Sequence, residues 1–113
     1  MRHRNALRNA LVTLVLVLLA GAAQAQQINR PAAGKPAVKM YATDWCPYCK
    51  QAREYFARNG IPYTELDIEK SETARAEYRS IGGRGIPVIL VGSERMNGFS
   101  EQRMAQMLKA AGY

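Results

Sequence analysis

Residues 38–49 read VKMYATDWCPYC, and this stretch decides the fold. Val38, Met40 and Ala42 fall on one side of a period-two pattern, which predicts a half-buried strand. Pro47 then stands where the first residue of a helix would lie; the N–H it lacks would have no partner there. Cys49, Ala52 and Phe56 follow at three- and four-residue spacing and share one helix face. Asn59-Gly60 closes that helix. A strand thus runs directly into a helix, and two cysteines bracket the junction.

Toward the C-terminus the alternation returns. Tyr63 to Ile68 is predicted as a second strand, with Thr64, Leu66 and Ile68 on one face. Ser71 caps a second helix and Glu72 lies in its first turn, where the helix dipole favours an anion. Ala74, Tyr78 and Ile81 form its apolar stripe, and Gly82-Gly83 stops it. Ile86 to Val91 is a continuous apolar run, rich in β-branched residues, and reads as a buried third strand. Gly92-Ser93 is a hairpin signal, with Glu94 to Asn97 as the return strand. Ser100 caps a last helix whose stripe is Met104, Met107, Leu108 and Ala111; these methionines read as core. The order is β-α-β-α-β-β-α, an α/β fold. The first two strands are parallel through a helical crossover and the last two form an antiparallel hairpin. A four-stranded mixed sheet with helices on both faces results.

The N-terminus has another character. Arg2, His3, Arg4 and Arg8 precede the apolar run Ala10 to Ala20, and Ala23-Gln24-Ala25 is a small-residue cleavage site. Residues 1–25 therefore read as a secretory signal peptide. The run is about half of the roughly 20 apolar residues that span a membrane; an uncleaved membrane anchor is the alternative. Residues 26–36 (QQINRPAAGKP) form a polar, flexible leader, and residues 37–113 form the folded domain.

The full chain has 113 residues, a formal charge of +7 and 48% hydrophobic residues, enough for one small domain and too apolar for a disordered tail. Part of the basicity lies in the signal. The remaining charges are scattered without aromatic interleaving, which argues against nucleic acid as a partner. The single histidine, His3, lies in the signal. Chemistry in the exported chain thus rests on cysteine, carboxylate, lysine or backbone.

Both cysteines of the chain lie in Cys46-Pro47-Tyr48-Cys49. At a helix N-terminus, unpaired N–H groups and the dipole favour a thiolate, the attacking species in disulfide exchange. Cys46 is the exposed nucleophile by this reading. Cys49, one turn further on, attacks a mixed disulfide on Cys46. Two other readings compete. A structural disulfide across so short a loop stabilises by about 2 kcal/mol before strain. A metal site needs further ligands, which only a second copy of the chain would supply.

The residues resemble the glutaredoxin family within the thioredoxin-like fold, over roughly Ala37 to Gly112. Cys-Pro-Tyr-Cys is the signature of its dithiol members. Ile86-Pro87 matches the family's Val-Pro with a cis proline, and Asn97-Gly98-Phe99-Ser100 matches its late glycine turn. The resemblance implies Cys46 and Cys49 as catalytic residues forming a redox-active disulfide. It implies Tyr48, Ile86, Pro87, Gly98, Ser100 and Glu101 as the glutathione site. Two positions depart from the pattern. Thr43 stands where many members carry a lysine for the glutathione carboxylate, with Arg84 and Lys50 as candidate replacements. Gly98-Phe99 is more like the NrdH-type redoxins, which take electrons from thioredoxin reductase, and Trp45 is thioredoxin-like.

The function expected is thus a glutathione-linked thiol–disulfide oxidoreductase. It would be exported, act as a monomer in the bacterial periplasm, bind no prosthetic group and use glutathione as co-substrate. Its partners would be disulfide-bearing proteins or glutathione mixed disulfides, with membrane contact only through an uncleaved signal. The alternatives are a periplasmic disulfide oxidant or isomerase, an NrdH-like redoxin with another electron donor, and a non-enzymatic thiol-binding chaperone or metal carrier.

Overall fold

The computed structural model describes residues 34–113. Residues 1–25, read as a signal peptide and including His3, and the leader through residue 33 lie outside the described residues. The elements follow the predicted order: β1 (Val38–Ala42), α1 (Pro47–Arg58), β2 (Thr64–Asp67), α2 (Glu72–Ser80), β3 (Val88–Val91), β4 (Glu94–Asn97) and α3 (Glu101–Ala110). They build one four-stranded sheet in the order β2-β1-β3-β4. β1 pairs parallel with β2 and antiparallel with β3, and β3 pairs antiparallel with β4.

Register turns the sequence pattern into a core. Met40 lies opposite Ile89, and Ile89 opposite Met96, so the three form one row across the sheet. All three are buried, and they join Cys49, Ala52 and Phe56 of α1 and Met104 and Leu108 of α3 in one apolar cluster. Met107 and Ala111 pack against it half-buried, as their places in the stripe predict. The next residues in register, Tyr41 and Val88, face the other side because side chains alternate along a strand. There the Tyr41 ring meets the Tyr78 ring of α2 at 6.1 Å between centroids.

Two boundaries differ from the sequence reading. β3 begins at Val88, not Ile86, because Pro87 has no N–H to give a ladder. β2 is shorter than expected, since it is an edge strand with Thr64 and Glu65 exposed. Its expected apolar face, Thr64, Leu66 and Ile68, is at most half-buried. The helix starts are as expected. Ser71 Oγ accepts from the Ala74 N–H at 3.1 Å, and Ser100 Oγ from the Arg103 N–H at 3.4 Å. The last residues of the leader are tied down: the Tyr113 hydroxyl donates to the Pro36 carbonyl at 2.5 Å, and Lys35 Nζ lies 5.0 Å from the Tyr113 ring centre.

Candidate active site

β1 ends at Ala42, and four residues later Cys46 is the N-cap of α1. Its backbone is extended, and its sulfur accepts a hydrogen bond from the Cys49 N–H at 3.2 Å. A cysteine thus does what Ser, Thr, Asp or Asn ordinarily does at a helix start. The placement follows from the sequence: Pro47 cannot donate and fits the first turn, so the first N–H groups of the helix converge on the residue before it. Both cysteines are free thiols, Cys49 fully buried and Cys46 nearly so.

The Cys46 thiol also faces the carbonyl of Ile86, at 3.8 Å. The cis Ile86–Pro87 bond therefore lies directly across from Cys46. The late turn reaches the same place, because the Gly98 N–H donates to the Pro87 carbonyl at 2.7 Å. Gly98 has φ of 80°, a left-handed conformation that favours glycine. Of the residues assigned to the glutathione site, the hydrogen bonds thus join Ile86, Pro87 and Gly98 to one another and to Cys46. Tyr48 projects into solvent from the first turn of α1. Ser100 is spent on capping α3. Glu101 is turned to Arg58 in the last turn of α1, with Arg58 Nη2 to Oε2 at 3.2 Å, about three helical turns from Cys46.

Around this centre lie Trp45, Thr43 and Asp44, and partners for them that the sequence did not single out. Trp45 is 67% exposed, and its indole N–H donates to Glu69 Oε1 at 2.8 Å. Asp44 pairs with Lys70, so the loop before Cys46 is held to the β2–α2 turn at two points. Tyr78 donates to the Gly85 carbonyl at 2.7 Å and so fixes the loop leading into Ile86. Beneath Cys49, Arg53 donates to the Thr43 carbonyl at 2.9 Å and to Glu65 Oε1 at 2.6 Å. Thr43 is buried, and its Oγ1 has no hydrogen-bond partner among the described residues. The signal for Arg53 was present: it follows Cys49 by four residues, on the same helix face.

The electrostatics separate the two sulfurs. Burial first, then the hydrogen bond and charge of Cys46, together push the Cys49 thiol up to about 12, against the Thr43 backbone and the Arg53 charge, which work in the opposite direction. Cys49 is thus held protonated. Cys46 is only 3% exposed, so the exposed sulfur expected from the sequence is instead covered, because its thiol is turned to the Cys49 N–H and the Ile86 carbonyl. No cluster of three or more His, Cys, Asp or Glu able to hold a metal occurs among the described residues.

The family model described as glutaredoxin matches residues 38–96, from the start of β1 to the middle of β4. The chain belongs to the glutaredoxin family. A glutaredoxin of Pseudomonas aeruginosa is 34% identical over 64 residues, which cover 56% of this chain and 76% of that protein. Among solved structures, the glutaredoxin of Brucella melitensis is 26% identical, with a TM-score of 0.53 over 74% of this chain and 99% of that one. The glutaredoxin of Archaeoglobus fulgidus, 24% identical, superposes with a TM-score of 0.58 over 67% and 89% of the two chains and supports the thioredoxin-like fold.

Proposed function

We propose that this glutaredoxin-family chain is an exported thiol–disulfide oxidoreductase that draws its electrons from glutathione. The observation that carries the redox chemistry is the Cys46 sulfur at the N-cap of α1, 3.2 Å from the Cys49 N–H and 3.8 Å from the Ile86 carbonyl. The Cys46 thiolate attacks a sulfur of a protein disulfide or a glutathione mixed disulfide. That S–S bond breaks, and the leaving sulfur takes the electron pair and a proton. The Cys49 sulfur then attacks Cys46, expels the second thiol and leaves a Cys46–Cys49 disulfide. Two glutathione thiols return it to the dithiol, forming glutathione disulfide.

Glutathione as the donor is supported by family membership and by the convergence of Ile86, Pro87 and Gly98 on Cys46. Arg84, exposed two residues before Ile86, and Lys50, exposed in the first turn of α1, supply the cation for its carboxylate in place of Thr43. The exported compartment rests on the signal-like residues 1–25. Periplasmic fractionation and N-terminal sequencing of the exported protein test it, with a start at Gln26 expected.

A second reading has one specific observation in its favour. Thr43 is in the core, so the position at which many glutaredoxins present a lysine faces inward here. An NrdH-like redoxin, fed by another dithiol donor, has no need of that cation. Turnover of a small glutathione mixed disulfide by the full chain, beside Cys46→Ser and Cys49→Ser, decides between them. Glutathione-dependent turnover that is lost in Cys46→Ser and retained in Cys49→Ser supports the first reading. No turnover with glutathione, but reduction with a dithiol donor, supports the second.

A further inference from the structure

Trp45 and Tyr48 are the large hydrophobic side chains exposed among the described residues, at 67% and 56%, and they flank Cys46 in sequence. Tyr48 falls among the residues that the family resemblance gives to glutathione. Trp45 has no part in that assignment, nor in the exchange of disulfides. The sheet order separates two flanks of Cys46, because β1 lies between β2 and β3. β2 runs parallel to β1, so the turn after it, which carries Glu69 and Lys70, lies at the Cys46 end of the sheet. β3 and β4 lie on the other side of β1. Their antiparallel pairing brings the start of β3, at Pro87, and the end of β4, at Gly98, to that same end. Ile86, Pro87 and Gly98 thus belong to the β3 flank.

Trp45 is held on the β2 flank by two contacts of its loop. Its indole N–H donates to Glu69 Oε1 at 2.8 Å, and the neighbouring Asp44 is paired with Lys70. The N–H is the one polar group of an indole. With it spent on Glu69, what Trp45 offers to solvent is carbon. Asp44 and Lys70 satisfy each other, so this flank selects little by charge. A ring whose orientation is already set loses little freedom when it is covered, and covering it removes apolar area from water. Cys46 is only 3% exposed, so a substrate gains little hold from the sulfur itself. Its hold comes from the surfaces on either side.

Resting on the disulfide-exchange reading above, we propose that Trp45 forms a second subsite, on the β2 flank, for the polypeptide half of the substrate. Its occupant is an extended chain with a large apolar side chain next to the reacting half-cystine. That side chain packs on the indole, while the glutathione half of a mixed disulfide lies toward Ile86, Pro87 and Gly98. Glu69 is a positioning residue that sets the ring. Cysteines with apolar neighbours are buried in folded proteins and bared in unfolded ones. The substrate class is therefore glutathione-blocked chains that have not finished folding.

The test mixes the reduced full chain with two glutathione-blocked peptides, alike except for leucine or serine next to the cysteine. Loss of the mixed disulfide is followed by rapid acid quench at subsaturating peptide. A single turnover needs no electron donor, so the result does not depend on glutathione as the reductant. Half-covering a leucine is worth about tenfold in affinity, and the wild type should consume the leucine peptide faster by about that factor. In Trp45→Ala the ratio of the two rates should fall to about one. Any effect of the substitution on the Cys46 thiol acts on both peptides alike and cancels. Freeing the ring costs the leucine peptide part of its advantage, so Glu69→Ala should lower the ratio to about threefold. Glu69→Gln keeps an oxygen acceptor and should restore it. Trp45 is the single tryptophan of the chain, so its fluorescence anisotropy should fall in Glu69→Ala and return in Glu69→Gln. A wild-type ratio near one, or a ratio unchanged in Trp45→Ala, overturns the subsite. A ratio unchanged in Glu69→Ala, or not restored by glutamine, overturns the part given to Glu69. Cys46→Ser separates the underlying reading: consumption that survives in it removes Cys46 as the nucleophile, whereas equal, Cys46-dependent consumption of both peptides removes the subsite alone.

Discussion

A methyl group added at Gly83 tests how the loop into Ile86 is held. The backbone of Gly83 lies outside the left-handed region, so alanine is not excluded by its dihedrals. The obstacle is Tyr78: a Cβ at Gly83 would overlap ring atoms Cδ2 and Cε2 and lie 2.6 Å from Cζ, where carbon atoms ordinarily stay about 3.5 Å apart. The ring is not free to swing aside. Its hydroxyl donates to the Gly85 carbonyl at 2.7 Å, and its face meets Tyr41, which is itself bonded to Glu77 at 3.2 Å. Overpacking costs about 1–3 kcal/mol and the lost Tyr78–Gly85 hydrogen bond about 1 kcal/mol, while replacing glycine returns about 0.4–1 kcal/mol. Gly83→Ala should therefore destabilise by about 2 kcal/mol, lowering the melting temperature of a domain this size by about 10 °C. Urea unfolding of the wild type, Gly83→Ala, Tyr78→Ala and the double variant completes a cycle. With the ring gone, the added methyl should be neutral or stabilise by about 0.5 kcal/mol. Equal destabilisation in both backgrounds would refute the steric account and leave the Tyr78 strap without a role at Gly83.

Phe56→Ala, at a fully buried position between the sheet and α1, should cost about 3–5 kcal/mol in urea unfolding and leave little folded protein. Ser71→Ala removes the acceptor of the Ala74 N–H and should cost about 1 kcal/mol, with thiol exchange unchanged. The Cys49 thiol carries a pH signature. Its folded pKa, about 12, exceeds that of the unfolded chain, so its contribution to stability is complete below the unfolded value and is lost as pH rises toward the folded one. Between about pH 8 and about pH 10 the reduced wild type should lose about 2 kcal/mol relative to Cys49→Ala. Parallel stability curves for the two proteins would contradict the buried, protonated thiol.

The junction of β1 and α1 was legible because several local preferences agree there. Alternation stops at Ala42, Pro47 admits only a helix start, and Ala52 and Phe56 continue the apolar face. The limits of β3 were not legible, because an apolar run such as Ile86 to Val91 does not show that pairing starts only after Pro87, which has no N–H to give a ladder. β2 was overextended for a related reason. Alternation from Tyr63 to Ile68 shows a face but not that the strand lies at an edge, where only four residues pair. Within the site, Cys46 and Cys49 announced themselves by type and spacing. Ser100 and Glu101 were read for ligand contact, yet their side chains serve the cap of α3 and an ion pair with Arg58. Arg53 was hidden, and with it the contacts of Thr43 and Tyr78, because they depend on partners distant in sequence. An arginine in a helix reads as surface until Glu65 and the Thr43 carbonyl are brought beside it.

The use of Cys46 as a helix cap makes folding and oxidation two sides of one thermodynamic square. A sulfur that carries negative charge accepts the Cys49 N–H more strongly than one locked in a disulfide. Helix α1 therefore favours the electron-rich form of the pair, and the native chain holds two electrons more tightly than the same sequence unfolded. Around the closed square, whatever free energy the helix start gains on reduction must reappear as a shift in reduction potential, at about 30 mV for each 1.4 kcal/mol. A change anywhere in α1 that weakens its first turn is thereby also a change in the oxidising strength of the pair.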